Sequence, residues 1–78
     1  MELTFRYFAG CREAAGVTEE TVSLPDGATV ADALAWVAEN RPDCVRYLTT
    51  ARTAVNREFV AETDTLSDGD EVAIIPPV

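Results

Sequence analysis

The sequence of 78 residues contains no histidine and no lysine, and all six of its basic residues are arginine. Histidine is the most frequent general base near neutral pH, and lysine supplies the amine that forms Schiff bases with carbonyl substrates. Arginine replaces neither of them, because its guanidinium stays protonated in proteins. The composition therefore predicts that the chain carries no catalytic residue and has no enzymatic activity of its own.

Cysteine is also scarce, with only Cys11 and Cys44 in the chain. The two are far apart in sequence, so no C-x-x-C pair is present, and without histidine the usual zinc and redox spacings are absent. Free cysteines of this kind behave as small hydrophobic side chains. We therefore predict two reduced cysteines that fill space, and we expect neither a metal site nor a cofactor.

Long apolar runs are missing, and no stretch approaches the ~20 residues that span a bilayer. The N-terminus lacks the basic start and apolar stretch of a signal peptide. Fourteen acidic residues against six basic ones give a net charge of −8, which would repel nucleic acids and anionic membranes. These features predict a cytoplasmic protein that binds neither nucleic acid nor membrane and that suits a basic protein partner.

What the sequence does contain begins with an alternation of apolar and polar residues. Leu3, Phe5 and Tyr7 are separated by polar side chains, which is the pattern of a half-buried strand. Residues 21–24 alternate again and end at a Pro-Asp-Gly turn. We expect an antiparallel pair of strands whose connection contains one helical turn, closed by Gly16.

The longest helix is predicted to begin at Thr29. Thr29 and Asp32 have the spacing of a capping box, in which each side chain binds a free backbone N–H group of the first turn. The apolar residues that follow at helical spacing form one face: Val30, Ala33, Leu34, Val37 and Ala38. Trp36 lies at the edge of that face, and Pro42 ends the helix near position 40 because proline disfavours helical geometry in the preceding residue.

Three more short strands are predicted at residues 53–55, 59–60 and 72–75, with Leu66 as an inward anchor between them. One amphipathic helix covers only one face of a sheet of this size, so the other face stays open, and an open apolar face marks an interface. The predicted fold is α+β: a β-grasp (ubiquitin-like) roll with a mixed sheet of four to five strands and one main helix. Residues 1–78 form a single domain in this interpretation.

Four segments of the chain carry a family resemblance. Residues 5–16 read FRYFAGCREAAG, residues 24–34 read LPDGATVADAL, residues 54–56 read AVN, and residues 68–78 read DGDEVAIIPPV. They are similar to segments of the molybdopterin synthase small subunit, the MoaD family, whose sequences read close to RYFAxLREAAG, LPEGATVADLL, AVNGE and DGDEVAxxPPV. Four matches in the right order and spacing, over nearly the whole length, make the resemblance specific.

The resemblance implies a sulfur carrier in molybdenum cofactor biosynthesis. In that family an extended tail ends in Gly-Gly, and an E1-like adenylating enzyme (MoeB-like) activates its carboxylate for conversion to a thiocarboxylate. The tail then enters the large subunit (MoaE-like), which supplies the catalytic basic residues. Glycine suits such a tail because it has no side chain to obstruct a narrow channel.

The sequence departs from the family pattern at two places. Arg57 stands where the family commonly has glycine in a hairpin, which predicts a different type of turn. The sequence given reaches Val78, before the family's Gly-Gly, and so a trimmed chain, a piece of a fusion with a large subunit and a carrier without its chemistry all remain open. Two alternative functions remain as well: a thiamine-pathway sulfur carrier and a ubiquitin-like binding module without sulfur chemistry.

The open face and the resemblance together select the partner-binding residues: Phe8, Arg12, Phe59, Ile75, Pro76, Pro77 and Val78. Phe8, Phe59 and Ile75 are predicted to form one exposed apolar patch with Arg12 at its rim. The prolines are predicted to leave the sheet in an extended form and to hold whatever follows them away from the body of the domain. The competing interpretations are an edge-of-core aromatic for Phe8, a hydrophobic sheet edge for Ile75 and a solvated charge for Arg12.

Overall fold

A computed structural model describes residues 1–77. Its strands form one mixed sheet, and its helices pack on one side of that sheet. The elements in chain order are β1 (Glu2–Tyr7), α1 (Ala9–Ala15), β2 (Glu19–Ser23), α2 (Val30–Asn40), a 3₁₀ turn (Pro42–Cys44), α3 (Val45–Leu48), β3 (Arg52–Val55), β4 (Glu58–Phe59) and β5 (Glu71–Ile75). Five strands with α2 as the longest helix confirm the predicted α+β class.

The strands lie in the order β2-β1-β5-β3-β4, so the first and last strands of the chain are neighbours at the centre of the sheet. β1 pairs with β5 in parallel, and the other three pairings are antiparallel. β1 and β2 form the expected antiparallel pair, with Leu3 opposite Val22. The connection between them holds α1, which Gly16 closes in the left-handed conformation at φ 77°, as predicted.

The hydrophobic core lies between the sheet and α2. Leu3, Phe5 and Tyr7 of β1 are almost fully buried, and Val72 and Ile74 of β5 lie beside them. This confirms the alternation seen in the sequence, because all five side chains point to the same face. The Phe5 and Trp36 rings meet edge to face with centroids 5.5 Å apart, so Trp36 flanks the core as expected.

Helix α2 begins with the predicted capping box. The Thr29 hydroxyl accepts from the Asp32 backbone N–H, and the Asp32 carboxylate accepts from the Thr29 backbone N–H at 2.9 Å. Its fully buried residues are Val30, Ala33 and Val37. Leu34, predicted as a full member of that face, is only half-buried, because it lines a cleft between α2 and strands β3 and β4.

The two cysteines join α1 to the 3₁₀ turn. Both are free and completely buried, and the Cys44 thiol donates to the backbone carbonyl of Cys11 at 3.4 Å. Burial, and then the neighbouring Cys44 thiol, raise the pKa of the Cys11 thiol. Both therefore act as the space-filling core residues that the sequence indicates.

A hydrogen-bonded network fastens the end of β1 to the end of α2. The Tyr7 hydroxyl donates to Glu20 at 2.5 Å, and the Arg41 guanidinium donates to both oxygens of the same carboxylate at 2.6 and 3.0 Å. Arg41, with the Tyr7 hydroxyl assisting, lowers the pKa of Glu20 against the opposing effect of burial. Burial, and then the hydrogen bond to Glu20, raise the pKa of Tyr7.

Glu20→Gln should reduce the free energy of unfolding at neutral pH by about 1–3 kcal/mol, because it removes charge-assisted hydrogen bonds in a half-buried site. Because the pKa of Glu20 is lowered in the folded state, its carboxylate stabilises the protein at pH values above 4.5, the ordinary pKa of glutamate. This contribution to the free energy of unfolding is lost as the pH falls below that value. The difference between wild type and variant should therefore shrink below pH 4.5 in urea titrations. Glu39→Gln, at an exposed position of α2, is the matched control. A difference that stays constant down through this range would contradict the role of the network.

Candidate protein-binding face

The side of the sheet opposite α2 carries no helix or strand within residues 1–77, and we call it the open face. Its side chains follow from the strand registers, because Arg6, Ala73 and Ala54 are paired in a row across β1, β5 and β3, and Phe59 of β4 continues that row. The neighbouring row pairs Arg52 with Ile75. The open face predicted from the single amphipathic helix is therefore present.

Phe8 joins this face at the end of β1. Tyr7 is paired with Ile74 in the parallel register, and Phe8 continues in extended geometry at φ −127° and ψ 155°. The alternation of an extended chain turns Phe8 to the side opposite Tyr7, next to Ile75. Its ring lies under the guanidinium of Arg6, with 5.3 Å between the Arg6 Cζ and the ring centroid. Phe8 and Ile75 are both half-buried.

Phe59 is the most exposed large apolar residue of the face, with 58% of its surface accessible. The Cζ of Arg52 lies 3.7 Å from the centroid of its ring. Ala54 and Ala73 are small and buried between the aromatic positions, at 5% and 7% exposure. We call Phe8, Ile75 and Phe59, with these two alanines, the apolar patch. Two arginine–aromatic pairs border it.

Arg6 and Arg12 differ in how they are held. The Arg6 guanidinium lies 3.6 Å from Glu71 and 4.0 Å from Glu19, while its Nε is buried without a hydrogen-bond partner among the described residues. Arg12 is exposed on α1, one helical turn beyond Phe8, and makes no ion pair within residues 1–77. Its position is compatible with the predicted rim of the apolar patch.

At the chain exit, Pro76 is buried directly after Ile75, which is still paired with Arg52. Pro77 is exposed, and the two prolines line a cleft of about 350 Å³ with Thr50, Arg52 and Ile75. Val78, the last of the predicted site residues, lies outside the described part of the chain.

The hairpin between β3 and β4 also differs from expectation. Asn56 and Arg57 both have positive φ, at 51° and 71°, which is the signature of the type I′ turn that Asn-Gly usually adopts. Arg57 therefore takes the left-handed conformation that glycine would take more easily. The predicted change of turn type is wrong, and the short hairpin keeps Phe59 opposite Ala54.

The sequence patterns do not select Arg52 as a binding residue. Nothing local distinguishes it from the other arginines, and its importance arises from the hairpin register, which places it diagonally across from Phe59.

Within residues 1–77 no group of three or more acidic or cysteine side chains is placed to hold a metal ion. Among the same residues no helix is long and apolar enough to cross a membrane. The apolar patch of the open face, bordered by arginines, has the chemical character of a protein-binding surface.

Comparison with known proteins agrees with this description. The profile of the ThiS family matches residues 5–78. A molybdopterin synthase sulfur carrier subunit from Chlamydomonas reinhardtii is 45% identical over 80 aligned positions, which cover 100% of this chain and 96% of the relative. Two other matches are solved structures.

The structure of molybdopterin converting factor subunit 1 from Pyrococcus furiosus is 31% identical, with a TM-score of 0.91 over 100% of this chain and 99% of that one. The crystal structure of SAMP1 from Haloferax volcanii is 28% identical, also with a TM-score of 0.91, over 100% and 97% of the two chains. These full-length matches confirm the β-grasp prediction.

Proposed function

This chain belongs to the ThiS family, and from that premise we propose that it is the sulfur carrier subunit of a molybdopterin synthase. The observation that carries the proposal is the similarity to the Chlamydomonas sulfur carrier along the whole chain. The fold adds that β5 runs straight from the core into the Pro76-Pro77 exit beside the apolar patch. Among the two sulfur-carrier alternatives, the curated relatives favour the molybdenum pathway over the thiamine pathway.

In this function the domain, residues 1–78, is a protein co-substrate and not an enzyme by itself. An E1-like adenylating enzyme (MoeB-like) activates the C-terminal carboxylate of the natural chain, which then receives sulfur as a thiocarboxylate. The apolar patch binds the large subunit (MoaE-like), and Pro76 and Pro77 lead the tail towards the large subunit's active site. Free buried cysteines suit the reducing cytoplasm in which we place the protein.

The partner surface is proposed to comprise Phe8, Arg12, Phe59, Ile75, Pro76, Pro77 and Val78. Its centre is apolar and its borders are charged, which is the usual composition of a protein interface. Aromatic residues at such a centre contribute much of the binding energy because they bury large, rigid surfaces.

The experiment uses the natural chain, an adenylating enzyme with a sulfur source, and the large subunit. Intact mass spectrometry should show the gain in mass from replacing one oxygen of the C-terminal carboxylate by sulfur. The sulfurated protein with the large subunit should then convert the cyclic pterin precursor, and neither subunit should do so alone. Conversion by the isolated small subunit, or a natural chain that never accepts sulfur, would refute the proposal.

The equally close backbone match to SAMP1 is compatible with one second candidate, a ubiquitin-like binding module without sulfur chemistry. The same mass measurement separates the two candidates, because the C-terminus of such a module would remain a carboxylate and the module would not support pterin conversion.

A further inference from the structure

Arg52 is held in an unusual way for an exposed arginine. Its side chain lies on the open face at the start of β3, and its Cζ is 3.7 Å from the centre of the Phe59 ring. At that distance the planar guanidinium packs against the face of the ring, an arrangement favoured by cation–π attraction. The donors of a guanidinium lie in its plane, so stacking leaves them available at the edges.

No acidic side chain within residues 1–77 occupies those donors. Arg6, the other stacked arginine, lies within 4.0 Å of both Glu19 and Glu71, whereas among the described residues Arg52 has no carboxylate within that distance and no side-chain hydrogen bond. Glu62 lines the same cleft as Arg52 without forming an ion pair with it. Of the two arginines stacked on aromatic rings, Arg52 is thus the one whose guanidinium has no carboxylate partner within residues 1–77.

Arg52 also lines two clefts. One, of about 440 Å³, lies between α2 and strands β3 and β4 and is bordered by Leu34, Leu48 and Phe59. The other, of about 350 Å³, follows the chain exit along Ile75, Pro76 and Pro77. Arg52 therefore borders the Pro76-Pro77 exit, and a protein that covers the exit lies next to this residue.

We propose that Arg52, oriented by the Phe59 ring, binds a carboxylate side chain of the protein that docks on the open face, and that this contact selects the partner. The inference rests on the proposed function, in which that protein is the large subunit. A planar guanidinium pairs with a carboxylate through two parallel hydrogen bonds, which fixes orientation as well as charge.

The overall charge strengthens the selectivity of this contact. A net charge of −8 repels acidic surfaces in general, so an acidic residue is tolerated only where it meets a free cation. A partner surface that is basic in general and carries one acid opposite Arg52 satisfies both conditions.

The test measures the dissociation constant of the natural chain and its large subunit by calorimetry, at low and high salt. Arg52→Gln should weaken binding about tenfold, and Arg52→Glu should weaken it further. Arg52→Lys should fall between wild type and Arg52→Gln, because it keeps the charge but loses the planar fork. The gap between wild type and Arg52→Gln should narrow as salt is raised, which a purely structural role would not produce.

Arg57→Gln is the matched control, since Arg57 is also exposed and has no ion pair within residues 1–77, but lies in the turn at the other end of β3. Its affinity should equal that of wild type. Every Arg52 variant should remain cooperatively folded in urea titrations, with at most the small loss expected from removing an exposed stacking contact on Phe59. In the Arg52→Glu background, replacing acidic residues of the partner surface by lysine one at a time should restore binding at one position.

Three outcomes would overturn the inference. If Arg52→Gln and Arg52→Glu bind as tightly as wild type while Phe8→Ala binds weakly, the interface is correct and Arg52 contributes no acid contact to it. If no lysine substitution in the partner restores binding to Arg52→Glu, the carboxylate contact is absent. If wild type does not bind the large subunit at all, the proposed function fails and the inference fails with it.

Discussion

Replacement of Phe8 by alanine should weaken binding of the proposed partner, the large subunit, at least about tenfold, because a central aromatic of an interface typically contributes ~2 kcal/mol or more. Phe8 lies beside Ile75 at the centre of the open face, where β1 and β5 both end. Ile75→Ala should have a comparable effect. Calorimetric titration of each variant against the large subunit measures the loss directly.

The same substitutions should leave the domain folded, since both side chains are half-buried and lie on the sheet face away from the core. Thr21→Ala is a suitable control, because Thr21 lies on the same face but on the edge strand β2. Its affinity should match that of wild type. Unchanged affinity for both Phe8→Ala and Ile75→Ala would remove the assigned interface, and unfolding of either variant would place that residue in the core.

Phe5→Ala should reduce the free energy of unfolding by about 3–5 kcal/mol, the usual cost of truncating a fully buried phenylalanine. Phe5 is completely buried at the centre of β1 and stacks edge to face on Trp36. A domain of this size has a total stability of about 4–12 kcal/mol, so the variant should be partly or largely unfolded at room temperature.

Urea titration followed by circular dichroism would measure this loss. Phe5→Leu, which preserves most of the buried volume, is the control and should cost about 1.5 kcal/mol or less. A loss below ~0.5 kcal/mol in the alanine variant, the scale of ordinary surface changes, would contradict the placement of Phe5 in the core.

Elements with strong local signals were predictable from the sequence. The alternation of Leu3, Phe5 and Tyr7 gave β1, and the spacing of Thr29 and Asp32 gave the start of α2. The order of strands in space was not predictable in this way, because periodicity shows which face a residue takes and not which strand lies beside it. The parallel neighbourhood of β1 and β5 became visible only in the structure.

In the candidate site, too, some features follow from local sequence patterns and others only from the pairing of strands. Phe8 and Ile75 could be assigned to the open face from alternation and from the family resemblance. The burial of Pro76 and the stacking of Arg52 on Phe59 depend on the registers of β3 with β5 and with β4. Registers are set by side-chain packing across the whole sheet, and so no single segment of the sequence contains them.

β5 lies at the centre of the sheet and leads directly into the exit at Pro76. The exit therefore reaches its place only when the sheet is complete. β1 and the segment before β5 make contacts between residues 66 positions apart, such as the hydrogen bond from Glu2 to Asp68. Contacts of this range form late, because much of the chain must be ordered before they close. During synthesis, the sheet cannot close until its last strand has left the ribosome. The exit at Pro76 takes its place beside the apolar patch in the same event, so the exit and the patch are presented together only by a folded domain.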